Sequence, residues 1–63
     1  MYRHFKGNIY TLLNEAILES TGQEMVVYKD YNSEKIWIRP KTEFFGKVEI
    51  EDKQIPRFAK YAP

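Results

Sequence analysis

The one histidine, His4, lies between two cations in the run Tyr2-Arg3-His4-Phe5-Lys6-Gly7. An imidazole there could act as a general base or a metal ligand. A base needs a nucleophile or partner to act on, and a metal needs several donors. The sequence displays neither constellation. Ser20 and Ser33 fall in turn-like stretches, where serine is ordinary, and no Gly-x-Ser-x-Gly element frames them. The three glycines are isolated, so no phosphate-cradling loop is formed. Glu49, Glu51 and Asp52 cluster, but strand alternation sends Glu49 and Glu51 outward, and a calcium ion wants more oxygen donors on a loop. Cysteine is absent, which excludes disulfides and thiolate metal sites. No catalytic residue, metal or cofactor is expected, and a small enzyme built on His4 is the reading with least behind it.

Rings beside cations point to different chemistry. Rings stack on bases or apolar groups, and guanidinium groups hold carboxylates or phosphates. Tyr2, His4 and Lys6 alternate to one side of a first strand, with Arg3 and Phe5 on the other. If Phe5 enters the core, Tyr2, His4 and Lys6 are left outward. Arg39 follows Trp37, and Arg57 precedes Phe58. The expected contact patch is therefore Tyr2, Arg3, His4, Lys6, Tyr28, Trp37, Arg39 and Arg57. Against this, ten rings in 63 residues must place some beside cations by composition alone, and Arg39 can be occupied by Glu43.

Ten Lys or Arg against nine Asp or Glu leave a net charge of +1. That balance gives no general pull toward duplex nucleic acid or an anionic membrane. A peptide or protein partner fits it better. Single-stranded RNA or DNA remains an alternative, because stacking works from a local patch. No apolar run approaches the ~20 residues of a membrane span, and no signal peptide precedes the first strand. A cytoplasmic protein is expected.

A chain this short buries only ~60% of the surface it exposes when unfolded. The rings must supply the core, at ~150–250 Å² each. A homodimer that completes open strand edges is a third expectation. Punctuation at Gly7-Asn8, Ser20-Thr21-Gly22, Asn32-Ser33, Pro40, Gly46, Glu51-Asp52 and Pro56 leaves short pieces, as in an all-β domain. Residues 2–6, 24–31, 35–39, 47–51 and 55–58 read as strands. Val26 and Tyr28 share one face and Met25 and Val27 the other. Ile36 and Ile38 oppose Trp37 and Arg39. Pro40 ends a strand and suits a helical first turn, so residues 40–46 read as one short turn stopped by Gly46. Asp52-Lys53 turns the chain, and residues 59–63 fray. Residues 9–19 are ambiguous. Ile9, Leu12, Leu13, Ala16 and Ile17 match a helical template, and pattern alone favours helix. Read as a strand, Asn14 and Glu15 mark a bulge or bend.

Several of these pieces occur together in a fixed order: YRHFKG, VVY, W-I-R-P followed by a Phe, V-E-I and a closing PRF. The set, spread over essentially the whole chain, resembles the bacterial family called domain of unknown function 1653. That family is similar to SH3-type β-barrels, so the resemblance implies that residues 9–19 are extended. Members commonly carry a His two residues after the alanine matching Ala16, followed by Ser-Glu-Thr. Here Leu18 and Glu19-Ser20-Thr21 stand there, and the segment between Tyr28 and Trp37 is one residue short. No activity comes with the resemblance. The combined expectation is one all-β domain over residues 1–63, an SH3-like barrel of about five strands with a helical turn near residues 40–46. Its expected core is Phe5, Tyr10, Leu12, Val26, Tyr28, Trp37, Ile38, Phe44, Val48, Ile50 and Phe58. The expected function is a non-catalytic binding module.

Overall fold

The segment whose spacing fits a helix is the longest strand of the protein. In the computed structural model, which describes residues 1–61, Ile9–Leu18 is extended as β2. It follows β1 (Tyr2–His4) and pairs antiparallel with β3 (Gln23–Asp30). The residues of the helical spacing divide between the two faces of the sheet, Leu12 and Ile17 on one and Ile9 and Ala16 on the other, with a surplus residue between them. The register steps from Leu12↔Tyr28 to Asn14↔Val27, so Leu13 is a bulge. Beyond it the alternation changes phase. Glu15 now opposes Val26 and Ala16 opposes Met25, which turns Glu15 to the side of Tyr10 and Leu12.

The remaining elements are β4 (Ile36–Pro40), α1 (Lys41–Phe44), β5 (Lys47–Ile50), β6 (Lys53–Pro56) and β7 (Phe58–Lys60). The expected all-β class and the short helical turn are both present. Among the described residues seven strands form two antiparallel sheets, one ordered β4-β3-β2-β1-β7 and one a β5-β6 hairpin, and they do not close into a barrel. β6 and β7 divide what reads in sequence as one returning strand. Arg57 is the bend, its N–H donating to Gly46 O at 2.9 Å. Gly46 is pressed against the helical turn, where a Cβ would lie 2.6 Å from Thr42 O. Ala59 and Lys60 are held in β7, and Tyr61 N–H donates to Met1 O at 2.9 Å, so these three are not frayed. The rest of that expectation, at residues 62 and 63, lies outside the described residues.

One face of the large sheet carries the rings. Val26, Tyr28, Phe44 and Phe58 are buried, with Tyr2, Tyr10 and Leu12 packed around them. Phe44 is the one buried residue of α1, and it stacks on Phe58 with centroids 4.1 Å apart and planes 11° apart. A four-residue turn with no side-chain cap has little stability of its own. It is held by that ring and by Lys41, whose Nζ lies 2.8 Å from Glu15 and 3.5 Å from Glu24.

Several expected core residues lie elsewhere. β1 ends at His4 because a tight turn follows: His4 N–H donates to Asn8 O and Gly7 N–H to His4 O. Gly7 supplies the positive φ, 108°, that the turn needs. Phe5 therefore sits half-buried in a turn while Tyr2 and His4 face the rings, the reverse of the expected facing. Trp37, Ile38 and Ile50 are exposed and Val48 is half-buried. Trp37 lies on the ring face but on the edge strand, Ile38 lies on the opposite face, and Ile50 ends a hairpin. The turn of that hairpin is Glu51-Asp52, with Lys53 already in β6.

Candidate functional site

At the edge of the ring cluster lies a recess of about 190 Å³, lined by His4, Lys6, Asn8, Tyr10, Tyr28, Trp37, Arg39 and Phe58. Strand pairing brings these residues together. His4 opposes Phe58 across β1 and β7, and Tyr28 opposes Trp37 across β3 and β4. Arg39 and Trp37, two residues apart on β4, project to the same side. Tyr10, Tyr28 and Phe58 meet edge-to-face with centroids 5.2–5.7 Å apart. The floor is thus a set of rings that hold one another in place.

The rim is cationic. Arg39 Nε donates to the Tyr28 hydroxyl at 3.3 Å, and its Nη1 lies 3.5 Å from Glu43 Oε1. Its guanidinium carbon sits 5.9 Å from the Phe58 centroid. His4 packs against Phe5 at 4.5 Å and Phe58 at 4.8 Å. Its Nδ1 accepts the Lys6 backbone N–H at 3.2 Å, so in the neutral ring the proton sits on Nε2. Burial holds the His4 pKa below its ordinary 6.5, and the positive charges of Arg39, Arg57 and Lys6 push it the same way. Three cations therefore surround one uncharged imidazole. Arg57 flanks the recess with its guanidinium 6.0 Å from the Phe5 ring, and its buried Nε has no hydrogen-bond partner.

Of the residues expected to form a contact patch, His4, Lys6, Tyr28, Trp37 and Arg39 line this one recess. Arg57 stands beside it. Tyr2 is drawn into the core, edge-on to Phe44 and Phe45. Arg3 points the other way and covers the Tyr61 ring at 4.7 Å. Asn8, Tyr10 and Phe58 were not among the expected contact residues. Tyr10 and Phe58 read as core in sequence, and they serve as both core and floor. Asn8 carries no signal beyond its turn.

A larger depression of about 630 Å³ is lined by Gln23, Glu24, Lys41, Thr42 and Phe45. Its cation is already neutralised by Glu15 and Glu24, so it lacks the unmatched charge of the smaller recess. Among the described residues no group of three or more His, Cys, Asp or Glu is placed to hold a metal, and no helix is long and apolar enough to cross a membrane.

No curated protein and no solved structure matches the chain. A family model does, over residues 1–60, and it covers every element that builds the recess. The chain belongs to the family described as protein of unknown function, DUF1653.

Proposed function

We propose that the protein is a non-catalytic binding module whose recess takes an anionic group attached to an apolar or aromatic one. The observation that carries this reading is the convergence of Lys6, Arg39 and Arg57 on a neutral His4 over a floor of rings, with Glu43 alone among the described residues within ion-pairing distance of one of them. A carboxylate would accept from Arg39 and Lys6, and its neighbouring ring would stack on the exposed Trp37. No serine, cysteine or carboxylate lines the recess, so a serine, cysteine or carboxylate nucleophile has no place in it. The net charge of +1 favours a peptide or protein segment, recognised locally, over a polyanion drawn in by a long-range field. A cytoplasmic setting belongs to the same reading, since a chain without cysteine draws nothing from an oxidising compartment.

Amide-detected NMR tests it, with hexapeptides that carry an aspartate beside a phenylalanine and with a mixed-sequence RNA hexamer. The expected result is peptide-induced shifts at residues 4–10, 28, 37–39 and 58. Arg39→Ala is expected to weaken binding at least tenfold, since a hydrogen bond to a charged group is worth ~1.5–3 kcal/mol. RNA binding that collapses as salt rises, with no peptide response, would replace the peptide reading by single-strand recognition. Silence from both at millimolar ligand would sink the module.

A further inference from the structure

The two edges of the large sheet are not alike. β7 is three residues long and ends in Lys60, a short charged edge of the kind that resists pairing. β4 is five residues long, and its Ile36, Trp37 and Ile38 are 62%, 44% and 57% exposed. The phase of the ladder decides which backbone groups of β4 are free. Asp30 N–H donates to Lys35 O, and hydrogen-bonded pairs alternate along an antiparallel ladder. The bonded pairs that follow are Tyr28↔Trp37 and Val26↔Arg39. Ile36 and Ile38 therefore turn their N–H and C=O groups away from β3, toward solvent.

We infer that β4 pairs with β4 of a second copy, antiparallel, about a two-fold axis through Ile38. The strand reads Ile36-Trp37-Ile38-Arg39-Pro40, and in that register each residue meets a suitable counterpart. Ile38 meets Ile38, Ile36 meets Pro40, and Trp37 lies beside Arg39 of the other copy, ring against cation. The free groups of Ile36 and Ile38 supply the bonds, and Pro40, which has no N–H to give, marks where the pairing stops. The neighbouring register with the same hydrogen-bond phase sets Trp37 against Trp37 and brings Lys35 alongside Arg39, a like-charge contact. The chain thus carries complementarity to itself at this edge. Residues opposite one another in such a pair share a face, so the two ring-lined recesses end up side by side on one continuous sheet. Trp37 and Arg39 belong to both the recess and the pairing, but the backbone bonds of Ile36 and Ile38 do not depend on what fills the recess.

A five-residue pairing is a small interface, so the mass is expected to climb with concentration rather than stay fixed. Light scattering coupled to size exclusion is expected to move from 7.6 kDa toward twice that value, and Ile38→Lys is expected to hold the protein at the monomer mass. Because the chain has no cysteine, an introduced thiol reports only on itself. Facing Cα atoms at a bonded pair are ~5.5 Å apart, within disulfide reach. Ile38→Cys is therefore expected to oxidise to a covalent dimer at least tenfold faster than Ile36→Cys, which sits off the axis. A mass of 7.6 kDa at every concentration, equal cross-linking at the two positions, or a dimer that survives Ile38→Lys would overturn the inference. A monomer whose Ile36 and Ile38 amides shift with an added extended peptide would overturn it as well, and would assign the edge to a foreign strand.

Discussion

Protonating His4 sets a fourth positive charge among Lys6, Arg39 and Arg57, in a ring that is half-buried against Phe58. The native state therefore binds the proton less readily than the unfolded chain does. Where the unfolded state holds more protons, stability rises with pH. The contribution of His4 is complete above the unfolded value of 6.5 and is lost as pH falls through the depressed native one. Denaturant titrations at pH 7.5 and pH 5 are expected to show a loss of stability on acidification that is smaller in His4→Gln. A loss identical in the variant would mean that other groups carry the pH dependence. The same residue marks a limit of sequence reading. Its ring-and-cation neighbourhood was visible from YRHFKG and W-I-R-P. Its inward facing was not, because that depends on β1 ending at His4 instead of running to Lys6. Where a three-residue strand stops is set by the Asn8 and Arg57 carbonyls it meets, and the second of these comes from the far end of the chain.

The β5-β6 hairpin turns through Glu51 and Asp52, with φ of 51° and 64°. Two-residue hairpin loops with both φ positive favour Asn-Gly, and a left-handed residue other than glycine costs ~1–2 kcal/mol. Replacing Glu51-Asp52 by Asn-Gly is expected to stabilise the protein by about 1 kcal/mol, or ~4–8 °C in a domain of this size. Thermal unfolding by circular dichroism checks it, and an unchanged or lowered Tm would show that the native turn is unstrained. The elements themselves were largely legible: strand-rich pieces between turn residues, the one helical turn after Pro40, and aliphatics opposed to rings on β4. The long strand β2 was not legible from its own pattern. Its apolar residues fall on both faces of the sheet, and one bulged residue shifts the phase midway, so no single alternation runs through it. Only a partner strand, or the family resemblance, tells it from a helix. The same bulge carries Glu15 to the inner face, where it meets Lys41.

The Cα envelope measures 36 × 27 × 16 Å, thin for a protein with ten rings to place, and Tyr31, Trp37 and Phe45 are left exposed. The buried rings gather where β3, α1 and β7 converge, while β5 and β6 pair only with each other. Local opening is expected to follow that division. Under native conditions the amides of Val26 and Tyr28 are expected to exchange slowest, and those of residues 47–55 markedly faster. Uniform protection would instead make the hairpin part of one cooperative unit. Trp37 occupies a singular position in this layout: it lines the recess, stands on the open edge, and is the one tryptophan in the chain. The molecule thus carries its own optical probe. Recess occupancy, edge pairing and unfolding each change the polarity around the same indole. Emission wavelength and iodide quenching can follow all three in unlabelled protein, provided ligand and protein concentrations are varied separately.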